Sequence, residues 1–421
     1  MSGQQAKSLI IGQTADWHLE ASRTRQRMDP TSGLNQRLVD FSNCARFCIE
    51  DAVARGAQAV LHAGDIWNSN KPSPTERRMA IWAFRAAVER GIPVIAIKGN
   101  HDDPRNPCEL NALDTLRGLP GITIVDSPKL LYLQQTPADL LIVKSKLAPD
   151  ESALLQIACL PYPSKQQLLA STGSGSRNLL EVNQFLREAM MDCARGLAVQ
   201  LRPEIPSVLL GHFSVDTAAA GKENRLMALG AEFTLNLHEL ESLGFSAILL
   251  GHIHKYQGWY PVGTTTAYCG SPEACNHGEE GEEKGYLLWD FTPGEQAEYQ
   301  QIQTPYRQFI TFDFDGSDRI YGFDETLKDA IVRVRIAASE ADNYDVKELE
   351  KTLEKCGVFE YKIEVEQAAA LHHRHSTVSA AMSLSEALGE WLKLHPDYQP
   401  LAEELVSEAV SIEANSTGGA A

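Results

Sequence analysis

Five short apolar runs, each followed by residues of the kind that bind metal ions, constrain this chain more than any other feature. The runs lie at about 8–14, 59–63, 92–98, 207–210 and 246–250. After them come Asp16-Trp17-His18, Gly64-Asp65, Gly99-Asn100-His101-Asp102, Gly211-His212 and Gly251-His252-Ile253-His254. Each run is rich in β-branched residues and Leu and stops at Gly or a polar break, the pattern of a buried strand. Buried parallel strands that all end in polar residues bring those residues to one edge of a sheet, where α/β folds place their sites. Two Asp, one Asn and four or five His meeting there form a cage for two metal ions.

Each motif alone has an ordinary explanation: a turn, a loop or a structural histidine. All five at strand ends require five coincidences. Without a cation, several buried polar ligands facing one another would go unpaired and destabilise the fold. Asp16 and His18 are two residues apart, so in extended chain their side chains point the same way, and the same holds for His252 and His254. Gly64 lets the backbone turn sharply before Asp65. A carboxylate can bridge two ions, which such sites hold about 3.5–4 Å apart. The donors are carboxylate, imidazole and amide with no thiolate, which favours Mn²⁺, leaves Fe²⁺ and Zn²⁺ open, and disfavours an all-oxygen magnesium site. Such a pair polarises phosphoryl oxygens and generates a hydroxide nucleophile. His101 beside it is placed to protonate a leaving oxygen or stabilise phosphoryl charge. Asp102 is placed to orient a neighbouring imidazole.

At roughly 100–200 residues per domain, 421 residues imply two or three domains. The net charge of −18 excludes a dominant basic surface, so a nucleic-acid substrate would need metal ions, a local basic patch or a partner. No stretch is long and apolar enough to span a membrane, and the N-terminus does not read as a signal peptide. The eight Cys lack CxxC pairing and read as small core residues in a reducing cytosol.

The spacing predicts helices over about 35–55, 74–90, 178–201 and 237–243, alternating with the motif strands. Further strands are expected at 122–125, 130–133, 155–160, 265–269 and 286–290, closing a first domain near residue 300. Residues 279–284, Glu-Glu-Gly-Glu-Glu-Lys, read as a solvated turn. From about 309 the pattern changes to a small α+β domain, with strands at 309–314, 331–336 and 361–365 and a helix at 346–355. His372-His373-Arg374-His375 reads as a solvated linker, although a His-rich tract can bind metal. Two amphipathic helices follow, near 384–392 and 401–412, which either pack on their own domain or dock on another protein.

The ordered motif set over about residues 8–290 resembles the calcineurin-like metallophosphoesterase superfamily: D-x-H, GD, GNH[DE], GH, GHxH. The resemblance implies an α/β (α+β) fold: a two-sheet, four-layer β-sandwich flanked by helices. It implies that Asp16, His18, Asp65 and His254 hold one metal, that Asp65, Asn100, His212 and His252 hold the other, and that His101 is the catalytic imidazole. Gly64-Asp-Ile-Trp67 with Lys71-Pro-Ser-Pro74, and Leu160-Pro-Tyr-Pro163, are similar to segments of SbcD-type DNA repair exonucleases. So are the polar loop after His212, through Glu223 and Arg225, and the order of parts. That resemblance implies a metallophosphoesterase nuclease domain (1–300), an α+β capping domain (301–370), and a linker with two helices (371–421) that dock on an SbcC-like coiled-coil ATPase. It implies two divalent metal ions, Mn²⁺ foremost, and action on DNA ends and hairpins. It also implies a homodimer within a heterotetramer, and a cytoplasmic, nucleoid-associated location. Arg23, Arg25, Arg27, Lys71, Arg77 and Arg105 are candidate phosphate contacts, with ordinary surface charge the simpler reading for each. Two rivals stand beside it. A protein phosphatase or small-molecule phosphodiesterase would share every ligand. A non-catalytic scaffold would be expected to lose some.

Overall fold

The computed structural model describes residues 8–21, 27–104, 111–136, 141–148, 151–164, 179–219, 232–314, 323–337 and 345–365, with scattered positions between 388 and 407. The first strands are β1 (Leu9–Thr14), β2 (Ala59–His62), β3 (Val94–Ile97) and β4 (Ile122–Val125), with helices α1 (Gln36–Ala54) and α2 (Pro74–Val88) between them. Then come β5 (Lys129–Gln135), β6 (Leu141–Lys144), β7 (Leu155–Leu160), α3 (Leu179–Ala198), β8 (Ser207–His212), β9 (Ser214–Val215) and β10 (Thr234–Leu235). The series continues through α4 (Leu237–Glu241), β11 (Ala247–Gly251), β12 (Gln257–Trp259), β13 (Thr265–Tyr268), β14 (Gly285–Phe291) and β15 (Glu298–Gln303). Last are β16 (Phe309–Phe314), β17 (Ile331–Ile336), α5 (Val346–Lys355) and β18 (Glu360–Val365).

The helices start where side chains can satisfy their open N–H groups. Asn35 accepts from Leu38 N at the start of α1. Ser73 and Glu76 form a complete capping box at α2, with Pro74 in its first turn.

The five motif strands do not share one sheet, which corrects the single-edge expectation. The first sheet has the order β15-β14-β1-β2-β3-β4, and the second β12-β13-β11-β8-β7-β5-β6. In the first, β1 to β4 run parallel; in the second, β7, β8, β11 and β13 do. Side-chain alternation explains why both sets read as unbroken apolar runs. Ile11, Leu61, Ile95 and Ile97 meet Ile157, Val208, Leu210 and Leu249 in a core between the sheets. The opposite face of the first sheet, with Val60, Val94 and Ala96, packs with Leu38, Ala83 and Phe84 of α1 and α2. The opposite face of the second, with Ala158, Leu209 and Ile248, packs with Leu186, Met190 and Ala194 of α3. Helix, sheet, sheet and helix make four layers, as expected. Gln13 ties the layers together below the strand ends: its Nε2 donates to Leu250 O at 3.0 Å, and Trp289 Nε1 donates to its Oε1 at 2.7 Å.

The chain divides into two compact units. One comprises Met1–Thr311, Leu327–Val332 and Gly357–Glu360; the other comprises Phe312–Thr326, Arg333–Cys356 and Tyr361–Ala421. A three-stranded sheet has the order β16-β17-β18, and α5 buries Leu349 and Leu353. The described part of the C-terminal region is helical at 388–389, 392–393, 402 and 405–407. The two expected terminal helices and the His372–His375 tract otherwise lie outside the described residues. Among the described residues, no helix is long and apolar enough to cross a membrane.

Candidate metal centre

The ends of β1, β2 and β3 from one sheet meet the ends of β8 and β11 from the other. The approach is close enough to dictate glycine. A Cβ on Gly64 would stand 2.4 Å from His212 Nδ1, and one on Gly99 would stand 2.0 Å from Asp65 Oδ1. The loops themselves are strained. Asp16 (φ 51), His18 (φ 44), Asp65 (φ 58) and His252 (φ 100) adopt left-handed backbone, a conformation that costs a non-glycine residue about 1–3 kcal/mol. The extended-chain argument for pairing Asp16 with His18 therefore fails, and a tight turn does the work instead. That turn is zipped to the next loop: Asp16 N donates to Gly64 O at 3.0 Å, and His18 N to Asp65 O at 3.2 Å.

The structure brings together Asp16, His18, Asp65, Asn100, His101, His212, His252 and His254. Donor atoms of Asp16, His18 and His254 lie within 4.8 Å of one another, as do those of His18, Asp65 and His101, and those of Asp16, Asp65 and His212. Asp65 Oδ2 lies 3.6 Å from His18 Nε2 and 3.3 Å from His212 Nε2. Asn100 Oδ1 lies 3.0 Å from His212 Nε2 and 3.0 Å from His252 Nδ1. Asp16 accepts the backbone N–H of His252, and Asp65 Oδ1 that of His101 at 2.9 Å.

Acceptors outside the cluster set which nitrogen faces inward. His212 Nδ1 donates to the Ala63 carbonyl at 2.6 Å. His254 Nδ1 donates to Glu279 Oε1 at 2.9 Å. Asn68 gives its Nδ2 to Glu20, so its Oδ1 accepts from His18 Nδ1 at 3.2 Å. The Asn68 carbonyl likewise takes His101 Nδ1 at 3.1 Å. Glu232 Oε1 stands 3.1 Å from His252 Nε2, off the direction of a hydrogen bond. His18 Nε2 and His254 Nε2 therefore face each other at 2.9 Å, each with its proton on the far nitrogen. His212 Nε2 faces two acceptors, Asp65 and Asn100. Such opposed lone pairs need a cation, and the donor set fits a pair of divalent ions.

Burial and neighbouring charges shift these groups in opposite directions. Burial opposes charge on His212, but Asp65 outweighs it and holds the ring up to about 9. Burial also opposes charge on His254, yet Cys275 and Glu279 hold it well above its ordinary value. Burial, with His254 adding, keeps His18 well below its own. Burial raises Asp16, with His212 and His254 opposing; burial also opposes the Asp65 charge, but His212 and His101 keep that carboxyl well below the usual range.

Among the described residues Asp102 makes no hydrogen bond to an imidazole. It is wholly buried, and its Oδ2 accepts the backbone N–H groups of Asp65 at 3.1 Å and Gly99 at 3.0 Å. Burial, with Asp65 adding, pushes its carboxyl up to about 7. Its place is to brace the two loops. Tyr162, of the Leu-Pro-Tyr-Pro segment, is buried with its ring 6.3 Å from His212 and 6.2 Å from His252.

Among the basic candidates, Arg27 is engaged structurally, donating to Phe359 O at 2.7 Å and covering that ring. Lys71 is exposed just before α2, and Arg77 is half-buried in α2. Arg23, Arg25, Arg105 and the loop through Glu223 and Arg225 lie outside the described residues.

Asn68, Glu232, Glu279 and Lys284 were missed. Asn68 directly follows the Gly-Asp-Ile-Trp motif, a signal within reach. Glu279 and Lys284 are buried, contrary to the solvated turn expected at 279–284. Glu279 also groups with His254 and Cys275, but the Lys284 ammonium 2.6 Å away already balances it, which argues against a third cation there.

Comparison with known proteins identifies the family of the fold. The family model described as Calcineurin-like phosphoesterase matches residues 9–256. The SbcD component of the SbcCD nuclease of Bacillus subtilis (strain 168) is 25% identical over 298 residues, 69% of this chain and 68% of that protein. Its namesake from Escherichia coli (strain K12) is 23% identical over 306 residues, 70% of this chain and 68% of that one. The "DNA double-strand break repair protein Mre11" of Methanocaldococcus jannaschii is 23% identical over 283 residues, 66% of this chain and 64% of that one.

Proposed function

This chain belongs to the calcineurin-like phosphoesterase family, a metal-dependent hydrolase by that membership, and we propose that it is a DNA repair nuclease. The observation that carries the reading is the ring of inward-facing lone pairs on His18, His212 and His254 around Asp16 and Asp65. The names of its relatives, the SbcCD nuclease and the DNA double-strand break repair protein Mre11, support DNA as the substrate class. Asp16, His18, Asp65 and His254 would hold one ion, and Asp65, Asn100, His212 and His252 the other. When bound, a metal pair supplies Lewis-acid polarisation of a phosphoryl oxygen and a water acidic enough to attack at neutral pH. Mn²⁺ suits the mixed carboxylate, amide and imidazole donors.

The protein's own groups do the rest. Asp65 lies between the two ligand sets and spaces them. The Asn68 carbonyl holds the Nδ1–H of His101, so it is the imidazolium form, carrying a second proton on Nε2, that hands that proton to the leaving oxygen and returns to the neutral ring. Lys71 and Arg77 are candidates to hold the DNA backbone, with Arg23, Arg25 and Arg105. The acidic net charge of −18 favours a partner that carries much of the DNA contact. An SbcC-like ATPase docked on residues 371–421 fills that role, in a heterotetramer built on a dimer of this chain.

The test is degradation of linear duplex and hairpin DNA by purified protein with Mn²⁺, set against a phosphopeptide. DNA cleavage is expected, and His101→Ala should lower it by about 10²–10⁴-fold with metal content unchanged. Full activity in that variant refutes the role of His101, and turnover of the phosphopeptide alone refutes the nuclease. For the partner, a chain lacking residues 376–421 should lose co-purification with the ATPase and keep its metals. Undiminished co-purification removes the docking proposal.

A further inference from the structure

The buried end of the 279–284 segment grips one candidate ligand from two sides. Glu279 is 1% exposed and Lys284 0%. Lys284 Nζ lies 2.6 Å from Glu279 Oε2, 3.0 Å from Ser271 Oγ and 3.0 Å from Glu282 Oε2. It also reaches the main-chain oxygen of His254 at 3.3 Å. Glu279 Oε2 takes the backbone N–H of Cys275 at 3.1 Å, and Oε1 accepts from His254 Nδ1 at 2.9 Å. The His254 carbonyl receives a further bond from Ser271 N at 3.0 Å. The ring of His254 is thus held through Glu279, and its backbone through Lys284.

Burying an ammonium and a carboxylate costs more in desolvation than an apolar pair of similar volume, so stability alone is a poor account of this arrangement. Nor do the other candidate histidines share it. His212 rests on a backbone carbonyl, His18 on a neutral amide, and His252 meets Glu232 off axis.

We propose that Glu279 and Lys284 are positioning residues that aim His254 Nε2, and so set the affinity of the cation held with Asp16, His18 and Asp65 independently of the other. The inference rests on the metal-centre reading above and deepens it. The bracket gives this site an anionic outer partner that the second site's His212 lacks. Outer partners of this kind are worth about 10–100-fold in metal affinity.

The experiment strips the full-length protein with chelator and titrates it with Mn²⁺. Binding is followed by calorimetry and electron paramagnetic resonance. The unaltered protein is expected to take two ions. Glu279→Gln keeps the shape and removes the charge; one of the two affinities should fall by about 10–100-fold and the other stay put. Lys284→Met should weaken the same ion. The double variant removes the buried ammonium together with the Glu279 carboxylate, leaving only Glu282, whose side chain is 11% exposed, without its cation, and should show the same one-sided loss with an unchanged circular dichroism spectrum. Wild-type affinities in Glu279→Gln and the double variant overturn the proposal, as does equal weakening of both ions. Fewer than two ions on the unaltered protein overturn the metal-centre reading beneath it, so the two failures are distinguishable.

Discussion

The two banks of the metal centre are built on different principles. The bank from the first sheet carries both carboxylates, with Asn100, His18 and His101, and is held mainly by main-chain bonds. Asp16 N and His18 N bond to the next loop, and the Asp102 carboxylate takes the N–H groups of Asp65 and Gly99. The bank from the second sheet is imidazole alone: His212, His252 and His254. Its rings are aimed by acceptors behind them, the Ala63 carbonyl and Glu279, with Glu232 close by. Carboxylates that repel one another need spacing that cannot drift, and main-chain bonds in strained loops provide it. Imidazoles need a chosen tautomer, and an outer acceptor provides that. The first bank sets distance, with Asn68 turning its two imidazoles, His18 and His101; the second sets only which nitrogen offers its lone pair.

The comparison can be broken most forcefully at Asp102. Asp102→Ala leaves two buried N–H donors unpaired, at about 1–3 kcal/mol each. Urea denaturation of the metal-free protein should show a loss of that order. An unchanged midpoint would mean that the main-chain bracing of the first bank is not what holds it.

A smaller effect sharpens the contrast between kinds of histidine. His62, on β2 beneath the first bank, has no acceptor behind it: its Nδ1 accepts from Gly64 N at 3.2 Å, and its Nε2 has no hydrogen-bond partner among the described residues. Burial, with His212 adding, lowers its pKa to about 3. It stays neutral in the fold while the unfolded chain protonates below about pH 6.5. The unfolded state then binds more protons, so stability is present above about 6.5 and is lost as pH falls toward 3. His62→Gln should flatten that decline by up to about 1.4 kcal/mol per pH unit. Urea midpoints of metal-free protein measured between about pH 6.5 and 4.5 check it, and equal slopes in the two proteins would show that His62 charges within the fold.

Much of the architecture was legible because local rules apply to it. The motif strands read as apolar runs because β2, β3, β8 and β11 bury both faces. Helix starts were legible where the caps are local, as with Pro74 after Ser73. The helix at 346–355 matches its expected range. Other features depend on partners far along the chain. Asp102 looked like a support for an imidazole, yet it braces Asp65, 37 residues earlier. The charges at 279–284 looked solvated because a charged run usually is. The partners that bury Glu279 and Lys284, His254 and Ser271, stand 25 and 13 residues away.

Residue type and position along the chain were enough to determine which side chains could serve a metal pair, since apolar runs end where ligands begin and a strand must stop where its polar residues start. Only the tertiary structure decided that the five runs divide between two facing sheets, that Asp16, His18, Asp65 and His252 bend into left-handed backbone, and that Asn68, Ala63 and Glu279 choose the inward nitrogens. Those outcomes depend on contacts between loops far apart in the chain, and no short stretch of residues contains the energy that selects them.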